Sequence, residues 1–143
     1  MASDLFSQAD LDRLSECIRQ AELQSSGEIR VHLEKRCRGA ALDRARVVFR
    51  QLGMDRTELR NGVLIYVATS DRKVSILGDE GIHQKVTDQF WNQELATLVL
   101  EFGRGAFLQG MEQVIADVGT KLKTHFPIGD QDRNELTNEI SLG

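Results

Sequence analysis

Apolar residues recur three and four positions apart along much of the chain, which is the spacing of one helix face. Ser7 and Asp10 have the arrangement of a capping box at the start of the first such segment. The apolar face that follows consists of Leu11, Leu14, Ile18 and Ala21. The pattern predicts helices over residues 8–24 and 39–52, a long helix that starts near residue 88, and a last helix from residue 106 to near Pro127.

Three other segments have the patterns of strands. Residues 28–34 alternate between apolar and polar side chains, which predicts a half-buried strand with His32 exposed on its polar face. Residues 63–68 are apolar without alternation, which predicts a central strand covered on both faces. Residues 73–77 form the third predicted strand.

The connections between these segments determine how the strands pair. Only the polar turn at 69–72 separates the second strand from the third, so we expect an antiparallel hairpin. A helix joins the first strand to the second, which predicts a right-handed parallel crossover. The expected fold class is α/β, a single-domain sandwich of a small mixed sheet with helices on both faces.

The polarity of the chain changes after its only proline. We expect one α/β domain over residues 1–127 and a polar acidic C-terminal tail over residues 128–143. Two apolar residues of this tail, Leu136 and Ile140, are the expected anchors on the domain.

The composition is that of an ordinary soluble domain, with 41% hydrophobic and 28% charged residues among 143. A formal net charge of -4 gives no general attraction to nucleic acid or to anionic membranes. No apolar run reaches the roughly 18 residues that a membrane helix needs, and the first residues lack the pattern of a secretory signal. Cys17 and Cys37 are isolated, which is typical of reduced thiols. We therefore expect a cytoplasmic protein with no nucleic-acid partner and no membrane partner.

Four segments occur in the order and spacing of a known family: SSGEIRVHLEK, RNGVLIYVATSDRKVSILGDEGI, VTDQFW and KLKTHFP. They resemble the TPM domain, in particular its small, soluble, single-domain bacterial members, and the resemblance covers about residues 8–127. The resemblance implies an α/β fold with a sheet between helices. It also implies two kinds of activity, since a plant thylakoid relative is linked to acid phosphatase activity and photosystem II repair, and some members bind calcium or magnesium.

The predicted topology brings several oxygen-bearing side chains to one edge of the sheet. The two parallel strands start at that edge, and the antiparallel hairpin returns the end of the third strand to it. Glu28, Asn61, Asp79 and Glu80 should therefore meet, and Asp88 at the following helix start joins them. Because Ca²⁺ and Mg²⁺ prefer carboxylate and amide oxygens, these five residues form a candidate metal site.

Each of these residues also has a purely structural interpretation. Asp88 suits the dipole of a first helical turn, and the loop at 78–81 needs the backbone freedom of glycine. Asn61 precedes a turn into a strand, and Glu28 would then be a solvent-facing strand start.

Other charged side chains have a functional and a structural interpretation as well. His83 is either a ligand or acid/base group or a solvated histidine, and the turn residues Arg72 and Lys73 either meet a phosphate or are solvated. Five arginines around the second predicted helix are expected to form a solvated face. They are Arg36, Arg38, Arg44, Arg46 and Arg50.

Three functions fit these observations. The first is a non-catalytic divalent-cation-binding domain that uses the predicted edge. The second is a metal-assisted phosphomonoester hydrolase, as the plant relative suggests, with the metal held by Glu28, Asp79, Glu80 and Asp88. The third is a protein-interaction adaptor that uses the acidic tail or the arginine-rich helix. The sequence has no P-loop, no GxSxG and no HExxH motif, and it leaves open whether the protein is an enzyme.

Overall fold

The computed structural model describes residues 5–128 and 140–143, and its long elements follow the predicted order. The helices are α1 (Gln8–Glu22), α2 (Ala41–Gln51), α3 (Glu80–His83), α4 (Asp88–Gly103) and α5 (Phe107–His125). The strands are β1 (Glu28–Glu34), β2 (Gly62–Ala68), β3 (Lys73–Gly78) and β4 (Ser141–Leu142), and a 3-10 turn covers Met54–Arg56. None of the described helices combines the length and the apolar character that crossing a bilayer requires.

The strands form one mixed sheet in the order β3-β2-β1-β4. β1 and β2 are parallel, with Glu28 opposite Gly62 and Glu34 opposite Ala68. β2 and β3 are antiparallel, with Val63 opposite Gly78. The predicted parallel crossover, the hairpin and the α/β fold class are therefore confirmed.

α1 begins where the capping box predicts. The Ser7 hydroxyl accepts a hydrogen bond from the Asp10 amide at 3.0 Å, and the Asp10 carboxylate accepts one from the Ser7 amide at 3.0 Å. Leu14 and Ile18 on its apolar face are fully buried, and burial of each such side chain contributes about 1.5–3 kcal/mol to folding. This face packs α1 against α5 and β1.

Helices cover both faces of the sheet, as predicted. One core lies between the sheet and α1, α4 and α5, and includes Leu14, Ile29, Val63, Ile76, Leu98 and Ile115. A smaller core lies between the sheet and α2, and includes Ala45, Phe49, Met54, Leu64 and Tyr66. All seven residues of β2 are buried, which confirms its central position.

The end of the predicted tail belongs to the sheet. β4 pairs in parallel with β1, with His32 opposite Ser141, and the Gly143 amide donates to the Leu33 carbonyl at 2.8 Å. Ile140 packs against the larger core, whereas Leu136 lies outside the described residues.

The expected exposure of His32 is wrong. Only 7% of this residue is exposed, because β4 lies alongside it and the Ser141 hydroxyl is 3.0 Å from its Nδ1 atom. The polar face of β1 is therefore covered by the end of the chain and by α2.

Candidate functional site

The edge of the sheet at which the candidate metal ligands are predicted to meet is the one where β1 and β2 begin and β3 ends. The Glu28 amide donates to the Asn61 carbonyl at 3.4 Å, and the Asp79 amide donates to the Gly62 carbonyl at 2.9 Å. The backbones of Glu28, Asn61 and Asp79 therefore lie at one edge of the sheet, as the topology predicts. Their side chains, however, belong to two different groups of contacts.

Asp79 belongs to an ion pair with Arg60. Arg60 donates from Nε to Asp79 Oδ2 at 2.7 Å and from a terminal nitrogen to Oδ1 at 2.9 Å. Asp79 also accepts from the Glu80 amide at 2.8 Å, as the N-cap of α3. Both of its carboxylate oxygens are thus engaged by protein donors. The φ of Arg60 is 52°, which places its backbone in the left-handed region.

Glu80 and Asp88, the other predicted acidic ligands, contact different partners. Glu80 accepts from the Gln84 side chain at 3.4 Å and is exposed. The Asp88 side chain is 85% exposed and lies 3.5 Å from His83 Nε2, while His83 Nδ1 accepts from the Trp91 indole at 3.1 Å. Within residues 5–128 and 140–143, no three His, Cys, Asp or Glu side chains form a group that could hold a metal ion.

Glu28 and Asn61 lie instead in a second group, which we call the buried acid network: Glu22, Ser26, Glu28 and Asn61. Glu22, Glu28 and Asn61 are 4%, 1% and 0% exposed, respectively. Glu22 at the end of α1 accepts from the Ile29 amide at 2.8 Å. Asn61 donates from Nδ2 to the Ser26 hydroxyl at 3.5 Å. Asn61 Oδ1 is buried and has no hydrogen-bond partner among the described residues.

The electrostatics of the buried acid network favour the protonated form of the Glu22 carboxyl group. Burial raises the pKa of Glu22 well above its ordinary value, and a hydrogen bond with the neighbouring Glu28 carboxyl raises this pKa further. The Ile29 amide and the charge of Arg30 act in the opposite direction but do not cancel the effect. At neutral pH Glu22 therefore keeps its proton and shares it with Glu28.

The sequence interpretation missed Glu22, although a signal for it exists. Glu22 follows Ile18 by four residues, so it continues the apolar face of α1 onto which Leu11, Leu14 and Ile18 fall. A carboxylate at such a core position needs a partner, and the strand start at Glu28 supplies one.

A third polar cluster lies at the other end of β1, around Glu34. Arg44 donates to both oxygens of Glu34 at 2.8 and 2.9 Å, the Tyr66 hydroxyl donates to Oε2, and His32 Nε2 is 3.1 Å from Oε1. The hydrogen bonds from Arg44, followed by those from Tyr66 and His32, lower the pKa of Glu34 to about 2. Arg44 is thus held over the sheet, which corrects its expected place on a solvated face.

The hairpin turn at the same end also engages its charged groups internally. Lys73 donates to the carbonyls of Cys37 and Gly39 at 3.0 and 2.7 Å. The guanidinium carbon of Arg72 lies 5.1 Å from the centre of the Phe107 ring. These contacts give both cations a structural role in holding the turn.

Comparisons with known proteins agree with this architecture. The family model described as the TPM domain matches residues 2–121. The NMR structure of the BA42 protein from the psychrophilic bacterium Bizionia argentinensis is similar, with a TM-score of 0.88 and 44% sequence identity over 96% of this chain and 94% of that one. The NMR structure of the N-terminal domain of a protein from P. gingivalis shares the fold, with a TM-score of 0.72 and 20% identity over 89% of this chain and 84% of that one. No curated protein matches the sequence significantly.

Proposed function

The chain belongs to the TPM domain family, and we propose that it acts as a non-catalytic divalent-cation-binding domain whose site is the buried acid network. The observation that carries this proposal is Asn61 Oδ1, a fully buried amide oxygen without a hydrogen-bond partner among the described residues. Such an atom needs a water molecule or an ion to satisfy it. The main-chain carbonyl of Asn61 accepts from the Glu28 amide, and the carboxyl groups of Glu22 and Glu28 are buried at the same edge of the sheet. We take this to be a favourable environment for a cation.

The donors present fit a hard cation. Glu22, Glu28 and Asn61 would hold the ion through carboxylate and amide oxygens, the ligands that Ca²⁺ and Mg²⁺ prefer. Water molecules would complete the coordination shell, as is common for Mg²⁺. The other three candidates, Asp79, Glu80 and Asp88, stay predictions of the sequence, and Asp79 would first have to exchange its contacts with Arg60.

The proposal makes cation binding depend on pH. Glu22 and Glu28 share a proton because burial raises the pKa of Glu22. A cation that binds both carboxylates must displace that proton, so binding releases a proton and strengthens as the pH rises.

Isothermal titration calorimetry with CaCl₂ and MgCl₂ tests this function, in two buffers of different ionisation enthalpy at each pH. We expect saturable binding that strengthens between about pH 6 and pH 8, with proton release in both buffers. Glu28→Gln should weaken binding by about tenfold or more, as is typical when a contact to a bound metal is lost. Glu80→Gln and Asp88→Asn are the matched controls, because both remove an exposed carboxylate at the same end of the molecule, and neither should change the affinity.

The remaining outcomes are also decisive. Absence of heat with both cations, together with an unchanged side-chain amide signal of Asn61 in ¹⁵N NMR spectra, would contradict the proposal. A loss of binding in Glu80→Gln or Asp88→Asn would place the site in the loop predicted from the sequence instead. Cation-dependent turnover of an aryl phosphate that Glu28→Gln abolishes would favour the alternative function, a metal-assisted phosphomonoester hydrolase.

A further inference from the structure

β3 is an edge strand whose outer side has no strand beside it in the described part of the chain. The Asp79 amide donates to the Gly62 carbonyl. These two residues lie one position beyond the paired residues Gly78 and Val63. Inward and outward main-chain groups alternate along an antiparallel strand, so Ser75 and Leu77 also bond towards β2. The amide and carbonyl groups of Val74, Ile76 and Gly78 therefore point away from the sheet and are available to a further strand.

This open edge is recessed in a groove between two helices. α2 packs on one side of β3 and α4 on the other, and the groove between them has a volume of about 660 Å³. Leu42 of α2 and Trp91 and Leu95 of α4 form its apolar walls, with Val74 and Ile76 at its base. Because helices on opposite faces of a sheet are separated by the thickness of one strand layer, an extended segment in this groove would continue the sheet.

A positively charged pocket of about 230 Å³ adjoins the Gly78 end of the groove and shares Arg46, Leu77 and Gly78 with it. The pocket contains three arginines and two aspartates, namely Arg46, Arg50, Arg60, Asp55 and Asp79. Arg60 is compensated by Asp79, and Arg46 by Asp43 at 3.3 Å. Arg50 is exposed and forms no ion pair with any other described residue. Arg50 is therefore the arginine of this pocket whose guanidinium is available to a carboxylate of a partner.

We propose that this groove binds an extended segment of a partner protein, which joins the sheet as a strand beside β3. The segment has apolar side chains at alternate positions and an Asp or Glu side chain that reaches Arg50. Strand addition of this kind takes affinity from main-chain hydrogen bonds and specificity from the pockets for alternate side chains. β3 of a second copy is a poor occupant, because its edge is recessed between its own α2 and α4.

A pool of labelled octapeptides provides a probe. Each peptide alternates threonine with Val, Ile, Leu or Phe. It carries glutamate at both ends, so that a carboxylate can reach Arg50 whether the peptide binds parallel or antiparallel to β3. Fluorescence anisotropy with the full chain should show saturable binding, and NMR should show larger amide shifts at Val74, Ile76 and Gly78 than at Ser75 and Leu77. A pool with glutamine in place of glutamate should bind about tenfold more weakly, since a charge-assisted contact to arginine is lost.

The chain offers a matched pair of variants on one helix. Leu42 and Val47 of α2 are 39% and 37% exposed, but only Leu42 lines the groove. Leu42→Asp should weaken binding about tenfold or more, whereas Val47→Asp should leave it within about twofold. Arg50→Glu should remove the preference for the glutamate pool, and Arg38→Glu, which changes an exposed arginine outside the groove, should preserve it.

Three results would overturn the proposal. They are no saturable binding of the glutamate pool, equal losses in Leu42→Asp and Val47→Asp, and binding without shifts at the outward-facing amides. A concentration-dependent dimer that Leu42→Asp dissociates would assign the groove to a second copy, and would equally exclude a partner segment.

Discussion

Arg60 and Asp79 form a bidentate ion pair at the edge of the sheet, with nitrogen–oxygen distances of 2.7 and 2.9 Å. The Asp79 side chain is 7% exposed, whereas that of Arg60 is 47% exposed. The main-chain carbonyl of Arg60 also accepts hydrogen bonds from the Gly81 and Ile82 amides at 2.8 and 3.3 Å. The pair therefore fastens the loop before β2 to the start of α3 through both side-chain and main-chain contacts.

Removal of the Arg60 side chain should destabilise the protein, because it leaves the buried Asp79 carboxylate without its cation. For Arg60→Ala we expect a decrease of about 2 kcal/mol in the free energy of unfolding, the usual cost of a buried polar group that loses its partner. Urea unfolding at neutral pH, followed by circular dichroism, measures this decrease. A double-mutant cycle with Asp79→Ala should give a coupling energy of about 1–2 kcal/mol.

The matched control for this cycle is the ion pair of Arg46 and Asp43. Their nitrogen–oxygen distance is 3.3 Å, and both side chains are more than half exposed, at 56% and 76%. Such solvated pairs contribute about 0–1 kcal/mol, so the coupling energy of this pair should be close to zero. Equal coupling energies in the two cycles would contradict the structural role assigned to Arg60.

Gly81 should tolerate no side chain. A Cβ atom added there would lie 2.1 Å from the Leu59 carbonyl oxygen and 2.6 Å from the Arg60 carbonyl oxygen. Both are main-chain atoms, so the loop would have to move, and Gly81→Ala should lower the free energy of unfolding by about 3 kcal/mol. Thermal and urea unfolding of the variant test this expectation.

Gly103 at the end of α4 supplies the comparison for Gly81. A Cβ atom there would meet nothing within 4 Å, and alanine is favoured over glycine in a helix by up to about 1 kcal/mol. Gly103→Ala should therefore be neutral or slightly stabilising. A destabilisation of Gly103→Ala as large as that of Gly81→Ala would show that the close contacts at Gly81 are not the cause.

The meeting of Glu28, Asn61 and Asp79 at one edge was predictable, because it depends only on strand direction. The apolar run of β2, the short turn after it and the helix before it determine that direction. The division of these residues into two groups was not predictable, since it depends on the backbone conformation of Arg60 and on the position of Glu22 at the end of α1. Neither strand periodicity nor family resemblance contains that information.

β4 could not be predicted for a different reason. Its two residues, Ser141 and Leu142, are too few to show any periodicity. It is held by main-chain pairing with β1 and by the contact of Ser141 with His32, and such contacts leave no signature in the sequence. The exposure of His32 was mispredicted as a direct consequence.

Removal of residues 140–143 should weaken the fold. It would delete the pairing of β4 with β1, the hydrogen bond from Gly143 to Leu33 and the cover over His32. We expect the free energy of unfolding to fall by about 2 kcal/mol, since each main-chain hydrogen bond contributes about 1 kcal/mol and Ile140 is also lost. Ser141→Ala, which removes only the hydroxyl next to His32, should cost less than about 1 kcal/mol. Equal stability of the truncated and full chains in urea would exclude a stabilising role for β4.

Glu94 on α4 is a second carboxyl group at a helix position that faces the core, and it is 6% exposed. Burial, followed by a hydrogen bond with Asp117 and the charge of Asp117, raises its pKa from 4.5 to about 8, while the charge of Lys121 acts in the opposite direction. In the unfolded chain the same group ionises near its ordinary pKa. Between these two values the unfolded state loses a proton that the folded state keeps, so the contribution of Glu94 to stability decreases as the pH rises.

Glu94→Gln should remove this pH dependence, because glutamine stays neutral and can still donate a hydrogen bond to Asp117. Near pH 4.5 the variant and the wild type should have similar free energies of unfolding, and above about pH 8 the variant should be more stable by about 1–2 kcal/mol, a value reduced by solvent screening. Urea unfolding at several pH values across this interval measures the difference. Glu80→Gln is the control, because it removes the charge of a carboxyl group that is exposed. A difference between Glu94→Gln and the wild type that is constant across the interval would show that Glu94 ionises alike in the folded and unfolded chains.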